Sequence, residues 1–286
     1  GSVCQSIREL IDILNEKKEK VGLIEVHLYR PFSSKYFLNV LPKSVKKIAV
    51  LDRAKEAGSS GEPLYLDVVN IINKLNKKIT VVGGRYGISS KDTTLSDLYA
   101  VYKNLDMDDM INSFTIGIKD DVTNKSLERV KIKNNAKNIE MKVYGFGSDG
   151  MVSATKDLTK LVGDNTKGFV QLYNEYDSKK SGGLTISHLR IGKDVIKSEY
   201  YIENEHIVVC TKESYLEKYD VLNGIRKNGI FILVTDKKGD ELEKILPDNI
   251  KYILSKKNIN FFTVDAYSLS EKNNIPNKIS MIMELA

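Results

Sequence analysis

What this chain is short of narrows the reading first. Its 286 residues include only two cysteines, Cys4 and Cys210, far apart. That excludes a disulfide framework, and it excludes an iron–sulfur cluster held by this chain's own cysteines. A reducing, intracellular setting is the simpler inference. Cys210 lies in the apolar run 206–211 and reads as a buried strand thiol rather than a nucleophile. No apolar run approaches the roughly 20 residues of a membrane helix, and no signal peptide is visible. Histidines number three, and no His-Cys-Glu spacing suggests a metal. No Ser-His-Asp constellation can be assembled from the pattern. The net charge of +6 is modest, and no basic stripe interleaved with aromatics marks a nucleic-acid surface.

What is there describes a soluble α/β protein. Apolar residues make up 41% and charged residues 29%, within the globular range. The length suits two domains better than one core. Val3, Ile7, Leu10, Ile11 and Leu14 recur at helical spacing. In the first half strands are predicted over 21–29, 47–51, 79–82 and 114–118, with helices over 33–40, 64–75 and 95–105. The polar run 119–137 marks a boundary. Beyond it strands fall at 141–144, 168–173, 207–211, 229–234 and 260–264, with helices near 152–161, 215–226 and 241–256. Strands alternating with helices predict two consecutive domains, 1–139 and 140–286, each a mostly parallel sheet covered by helices. Gly1-Ser2 reads as a cloning remnant. The apolar stretch 279–286 has no terminating signal, as expected of a piece of a longer protein.

The organising feature is Met141-Lys142-Val143-Tyr144-Gly145-Phe146-Gly147-Ser148-Asp149-Gly150. A strand runs into a glycine turn, and a helix follows. Glycine lets a ligand approach the backbone, and the helix aims free N–H groups and its positive dipole end at the turn. A pyrophosphate is the natural occupant; a plain tight turn is the alternative. The spacing is also the dinucleotide fingerprint, which wants an acidic residue at the end of the next strand. Glu175 and Asp177 lie slightly late for that role, so a nicotinamide-dependent dehydrogenase stays open. Asp149 would repel a phosphate if it faced inward; it is expected to cap the helix or point away.

A second polar loop, 177–183, reads Asp-Ser-Lys-Lys-Ser-Gly-Gly. Lys179 and Lys180 could set two ammonium groups against phosphate, or the loop is an exposed turn. If the strands before the two loops are neighbours, the loops share one sheet edge. Among the histidines, His27 is expected packed within a strand and His206 structural. His188 either contacts ligand or alternates outward on a short strand. In the first half, Asp52, Arg53, Glu56 and Glu62 surround a Gly-Ser loop that is either a solvated loop or a contact surface. Gly83-Gly84-Arg85-Tyr86-Gly87 demands close backbone approach.

Several strings together resemble one family. Leu51-Asp52-Arg53-Ala54-Lys55-Glu56, Gly61 through Val68, Val82 through Gly87, and Phe114 through Ile118 with Asp120-Asp121-Val122-Thr123 resemble the centre of pyruvate:ferredoxin (flavodoxin) oxidoreductases. Gly147 through Gly150, Tyr176 through Gly183, and Ser187-His188-Leu189-Arg190 extend the resemblance through the second half. Asn124 stands where the pattern has histidine, and Ala57 where it has proline.

The resemblance implies a transketolase C-terminal-like domain followed by a gamma-type domain that binds coenzyme A. It implies an enzyme that oxidises pyruvate with coenzyme A to acetyl-coenzyme A and carbon dioxide. Electrons would pass to ferredoxin or flavodoxin, or to NADP in a fused protist relative. The intact enzyme would carry thiamine diphosphate, magnesium and iron–sulfur clusters, with FAD or FMN in the fusion. It would work as a homodimer in the cytoplasm or in a hydrogenosome or mitochondrion-related organelle. This stretch has no thiamine-diphosphate motif and no cluster cysteines, so alone it is expected to be inert, with coenzyme A its one ligand. The residues expected to meet coenzyme A are Gly147, Ser148, Asp149, Gly150, Lys156, Lys179, Lys180, Ser181 and Arg190. A non-catalytic assembly module is the remaining alternative.

Overall fold

In a computed structural model, the described residues are 1–75, 78–132, 134, 137–177, 183–275 and 278–284. Two compact units result. One comprises 1–135 with 197–201, and the other 136–196 with 202–286.

The first unit is built on a three-stranded parallel sheet in the order β1-β2-β3. Helix α1 (Cys4–Glu16) precedes α2 (Ser34–Val40) and β1 (Lys47–Asp52). Then come α3 (Pro63–Ile72), β2 (Thr80–Arg85), α4 (Leu95–Asp106) and β3 (Phe114–Thr115). The apolar stripe foreseen on α1 is real: Leu10 and Leu14 are fully buried, packing in one cluster with Leu98 of α4 and with Val82 and Phe114 of the sheet. A second cluster joins Phe37 of α2 and Val68, Ile71 and Ile72 of α3 to Val50. Helix α4 starts with a capping box, in which Thr94 and Asp97 satisfy each other's backbone N–H groups. Gly84 is obligatory, because a Cβ there would lie 2.0 Å from the Phe114 ring.

The stretch 21–29 is not a sheet strand. Its apolar alternation is used instead for packing, Val21 and Leu23 in the first cluster and Ile24 against the second. His27 is exposed beside Glu25 rather than packed. At the end of β1, the half-buried carboxylate of Asp52 accepts from the N–H groups of Leu64 and Tyr65 in the first turn of α3. Arg85, buried, pairs with buried Glu62 at 3.6 Å and donates to the Ser113 carbonyl. Those residues brace the loops they lie in.

The second unit contains β4 (Ile139–Phe146), α5 (Met151–Asn165), β5 (Phe169–Tyr176), β6 (Leu184–Gly192), β7 (Ile207–Cys210) and α6 (Tyr215–Lys218). It continues with β8 (Ile230–Val234), α7 (Gly239–Ile245), α8 (Asp248–Lys256), β9 (Asn260–Val264), α9 (Ala266–Lys272) and α10 (Ile279–Met283). The six strands lie in the order β5-β6-β4-β7-β8-β9. Strands β4, β7, β8 and β9 are mutually parallel, and β6 runs antiparallel to both β4 and β5. One face carries Tyr144, Val208, Cys210, Phe231 and Leu233 against Leu216, Leu222, Ile225 and Ile250. On another, Met151 and Ala154 of α5 cover Val143 and Val209.

The helix foreseen over 215–226 stops at Lys218; the apolar residues after it, Val221, Leu222 and Ile225, are buried from turns. The helix foreseen over 241–256 is two, parted at Pro247, whose ring cannot continue α7.

Candidate functional site

Strand β4 and the helix after it fix the glycine turn. The N–H of Asp149 donates to the Phe146 carbonyl at 2.9 Å, closing a turn over Gly147 and Ser148. Ser148 and Gly150 both take left-handed backbone, with φ of 89° and 81°. For serine that conformation is uncommon, and such residues cluster at ligand-binding turns. At Gly150 a Cβ would also meet the Ser280 Oγ at 2.8 Å.

Asp149 faces inward, and the reason is hydrogen bonding. Its carboxylate accepts from the Phe146 N–H at 2.6 Å, from the Met151 N–H at 2.9 Å and from the Thr211 hydroxyl at 3.0 Å. It therefore caps α5 from inside the turn, with its charge spent on the turn's own donors. Met151 is the first residue of α5, so Asp149 takes one orphan N–H. Those of Val152 and Ser153 cannot be satisfied within the helix and lie at its positive end. Lys156 is exposed one turn further in.

The turn meets Gly183, the described flank of the loop foreseen with it, though not for the expected reason. Strands β4 and β5 are not neighbours; β6 stands between them. The β5–β6 hairpin returns the chain to β4, and the Gly147 N–H donates to the Gly183 carbonyl at 2.9 Å. Asp177 N–H closes the same hairpin on the Leu184 carbonyl. Lys179, Lys180 and Ser181 themselves lie outside the described residues. The flanks of their loop, Asp177 and Gly183, stand at the glycine-turn edge of the sheet.

The same topology weakens the nicotinamide reading. A dinucleotide fold needs its acidic residue at the end of the strand beside the glycine turn. Here the strand that holds Glu175 is edge strand β5, separated from β4 by antiparallel β6, and Glu175 turns to His188, Oε2 to Nε2 at 3.5 Å.

Arg190 is not at the turn. It pairs across the sheet with Glu140 at the start of β4, about 20 Å of strand from Gly147. Only 2% exposed, its guanidinium donates to Glu140 at 3.1 Å and to Gln171 at 3.0 Å. Its charge serves the sheet. His188 is likewise inside and does not alternate outward: it is 3% exposed, and its Nδ1 accepts the Ile202 N–H at 3.2 Å. Burial pushes its pKa below the usual histidine value. His206 is structural as foreseen, Nδ1 accepting the Glu140 N–H at 3.0 Å. Cys210 is buried, and burial pushes its thiol up to about 12.

Sequence reading missed Thr211 and Lys212. They follow β7 directly, beside the end of β4. The signal available was their place at a strand's carboxyl end, where open α/β sheets bind ligands. No group of three or more His, Cys, Asp or Glu suited to a metal occurs among the described residues. No helix among them is long and apolar enough to cross a membrane.

Comparison with known proteins identifies the family. Residues 140–285 match the family model described as pyruvate ferredoxin/flavodoxin oxidoreductase, and 1–98 match pyruvate:ferredoxin oxidoreductase core domain II. The chain is 46% identical to the pyruvate:ferredoxin oxidoreductase of Moorella thermoacetica, over 100% of this chain and 25% of that protein. It is 42% identical to the pyruvate-flavodoxin oxidoreductase of Klebsiella pneumoniae, again over 100% of this chain and 25% of the relative. To the mitochondrial pyruvate dehydrogenase (NADP(+)) of Euglena gracilis it is 39% identical, over 99% of this chain and 16% of that one. The chain thus spans about a quarter or less of the length of these relatives. With one family model covering the second unit and another most of the first, the chain belongs to the pyruvate ferredoxin/flavodoxin oxidoreductase family.

Proposed function

We propose that this chain supplies the coenzyme A-binding part of an enzyme that oxidatively decarboxylates pyruvate to acetyl-coenzyme A and carbon dioxide. The observation that carries the reading is the 2.9 Å hydrogen bond from the Gly147 N–H to the Gly183 carbonyl. It sets the glycine turn edge to edge with the hairpin whose loop holds Lys179 and Lys180. Coenzyme A brings a pyrophosphate and a 3′-phosphate. One anionic group would lie over Gly147, Ser148 and Gly150, facing the N–H groups of Val152 and Ser153. Lys179 and Lys180, with the Ser181 hydroxyl, would meet another as point charges and a donor, and Lys156 could swing in from α5. Asp149 would shape the turn rather than touch phosphate.

The thiol end would reach an acyl group formed elsewhere in the enzyme. Thiamine diphosphate, magnesium and iron–sulfur clusters, which the family implies, find no fitting set here. The cysteines are two, one of them buried with a raised pKa, and the described residues offer no metal-ligand cluster. Electrons would leave toward ferredoxin, flavodoxin or NADP through other parts of the polypeptide, and a homodimer and an organellar or cytoplasmic site belong to the same proposal.

Calorimetry tests the binding role. Coenzyme A titrated into the chain is expected to bind about ten- to a hundredfold more weakly when Lys179→Ala and Lys180→Ala are combined, the loss of two charge-assisted contacts. Unchanged affinity would remove the lysine loop from the site.

A further inference from the structure

The order of the six-stranded sheet contains a reversal. After β4 the chain moves through α5 to β5 and β6 on one side; after β7 it moves through α6 to β8 on the other. The carboxyl ends of β4 and β7 lie side by side there, at the place where ligands of open α/β sheets bind. One wall of that junction is the glycine turn. The other is Thr211 and Lys212, directly after Cys210, whose partner in the sheet is Tyr144.

Both residues of that wall engage the turn. Thr211 donates to Asp149, as described. The Lys212 Nζ sits 3.2 Å from the centroid of the Phe146 ring, the residue from which the turn departs. A cation rests on an aromatic face because the ring's quadrupole attracts it. Among the described residues Lys212 forms no ion pair. Glu213, next in sequence, is held by the Thr235 hydroxyl, which donates to its Oε1. Three other lysines of this unit are held by carboxylates or carbonyls: Lys142 by Glu205, Lys237 by Asp236, and Lys257 by the Asn223 and Ile225 carbonyls. Lys212 thus stands at the switch point as a charge parked on a ring, within a flexible four-carbon stem's reach of the turn.

We infer that Lys212 is a phosphate-binding residue of the same site, meeting the polyanionic end of coenzyme A from the β7 side while the glycine turn holds it from the β4 side. The inference rests on the coenzyme A reading above. Binding would draw the ammonium off Phe146 and onto a phosphate oxygen, exchanging a cation–π contact for a charge-assisted hydrogen bond.

The test is calorimetry on the chain with Lys212→Ala and Lys212→Arg, titrated with coenzyme A and with pantetheine, which lacks the phosphates. Lys212→Ala is expected to weaken coenzyme A about tenfold. Its effect should shrink as salt is raised, because a partly exposed charge is screened. Lys212→Arg should retain most of the affinity, and pantetheine binding should be the same in all three proteins. If the unaltered chain binds coenzyme A and Lys212→Ala binds it equally well, the Lys212 role is overturned and the glycine-turn reading stands. An equal loss for pantetheine would mean a structural defect and would also overturn it. If the unaltered chain does not bind coenzyme A, both fall together.

Discussion

The Thr211 hydroxyl donates to the Asp149 carboxylate across 3.0 Å, tying the end of β7 to the turn that follows β4. Thr211 is buried, and its hydroxyl also lies 3.1 Å from the Tyr144 carbonyl. One side chain thereby joins the ends of both strands. Thr211→Val keeps the shape and removes the donor. It should lower the unfolding free energy by about 1–3 kcal/mol, the cost of leaving a partner unsatisfied. Urea denaturation checks this, and an unchanged midpoint would mean that the link carries no weight.

Gly150 is constrained twice, by its φ of 81° and by the Ser280 side chain. Gly150→Ala should cost about 1–2 kcal/mol from the left-handed backbone alone, plus a steric part. Adding Ser280→Ala should recover only the steric part. Full recovery in the double variant, read from thermal melts, would show that backbone conformation is not what the glycine supplies.

Two histidines make the fold sensitive to acid. His188 and His206 each accept a backbone N–H on Nδ1, which a protonated ring cannot do. Burial lowers the pKa of both in the native state. In the unfolded chain histidine binds a proton near pH 6.5. Between that value and the lower native ones the unfolded state holds more protons, so stability falls as pH falls. Their contribution is complete above about pH 7 and is lost on acidification through the native values. Urea midpoints should drop from neutral pH to about pH 5, and His188→Gln should flatten part of that slope. A slope unaltered by the substitution would assign it to other groups.

The thiols should differ in reactivity. Cys210 is fully buried and its pKa is raised, whereas Cys4 is only partly covered. Since the thiolate is the reactive form, iodoacetamide should label Cys4 and spare Cys210 in the native protein, and label both in urea. Equal native labelling would place Cys210 at the surface.

Much of this was legible in the sequence because local chemistry and tertiary use agreed. The glycine turn, the helix after it and the apolar stripe of α1 are read from spacing and emerge as read. Of strand β6 only a short outward-alternating strand at His188 was read, not its burial, because Ser187, His188 and Arg190 look like surface residues. They are buried because Asn174, the Ile202 N–H and Glu140 satisfy them, partners that lie 13 to 50 residues away. The stretch 21–29 failed the other way: its alternation is that of a strand, but it packs side chains without joining a ladder. The neighbour of β4 could not be foreseen either. Consecutive strands β4 and β5 suggest adjacency, and only the hairpin's return reveals that β6 intervenes and that Arg190 stands at the far end. Lys212 was invisible for the same reason, since its significance comes from a reversal in strand order.

The most direct test is amide NMR mapping of the chain titrated with coenzyme A. The account predicts that the N–H signals of Gly147, Ser148, Gly150, Val152 and Ser153, with Gly183 across the hairpin, shift first and furthest. Shifts confined to the other end of the sheet, around Glu140 and Arg190, or no shift at the turn at saturating ligand, would contradict it.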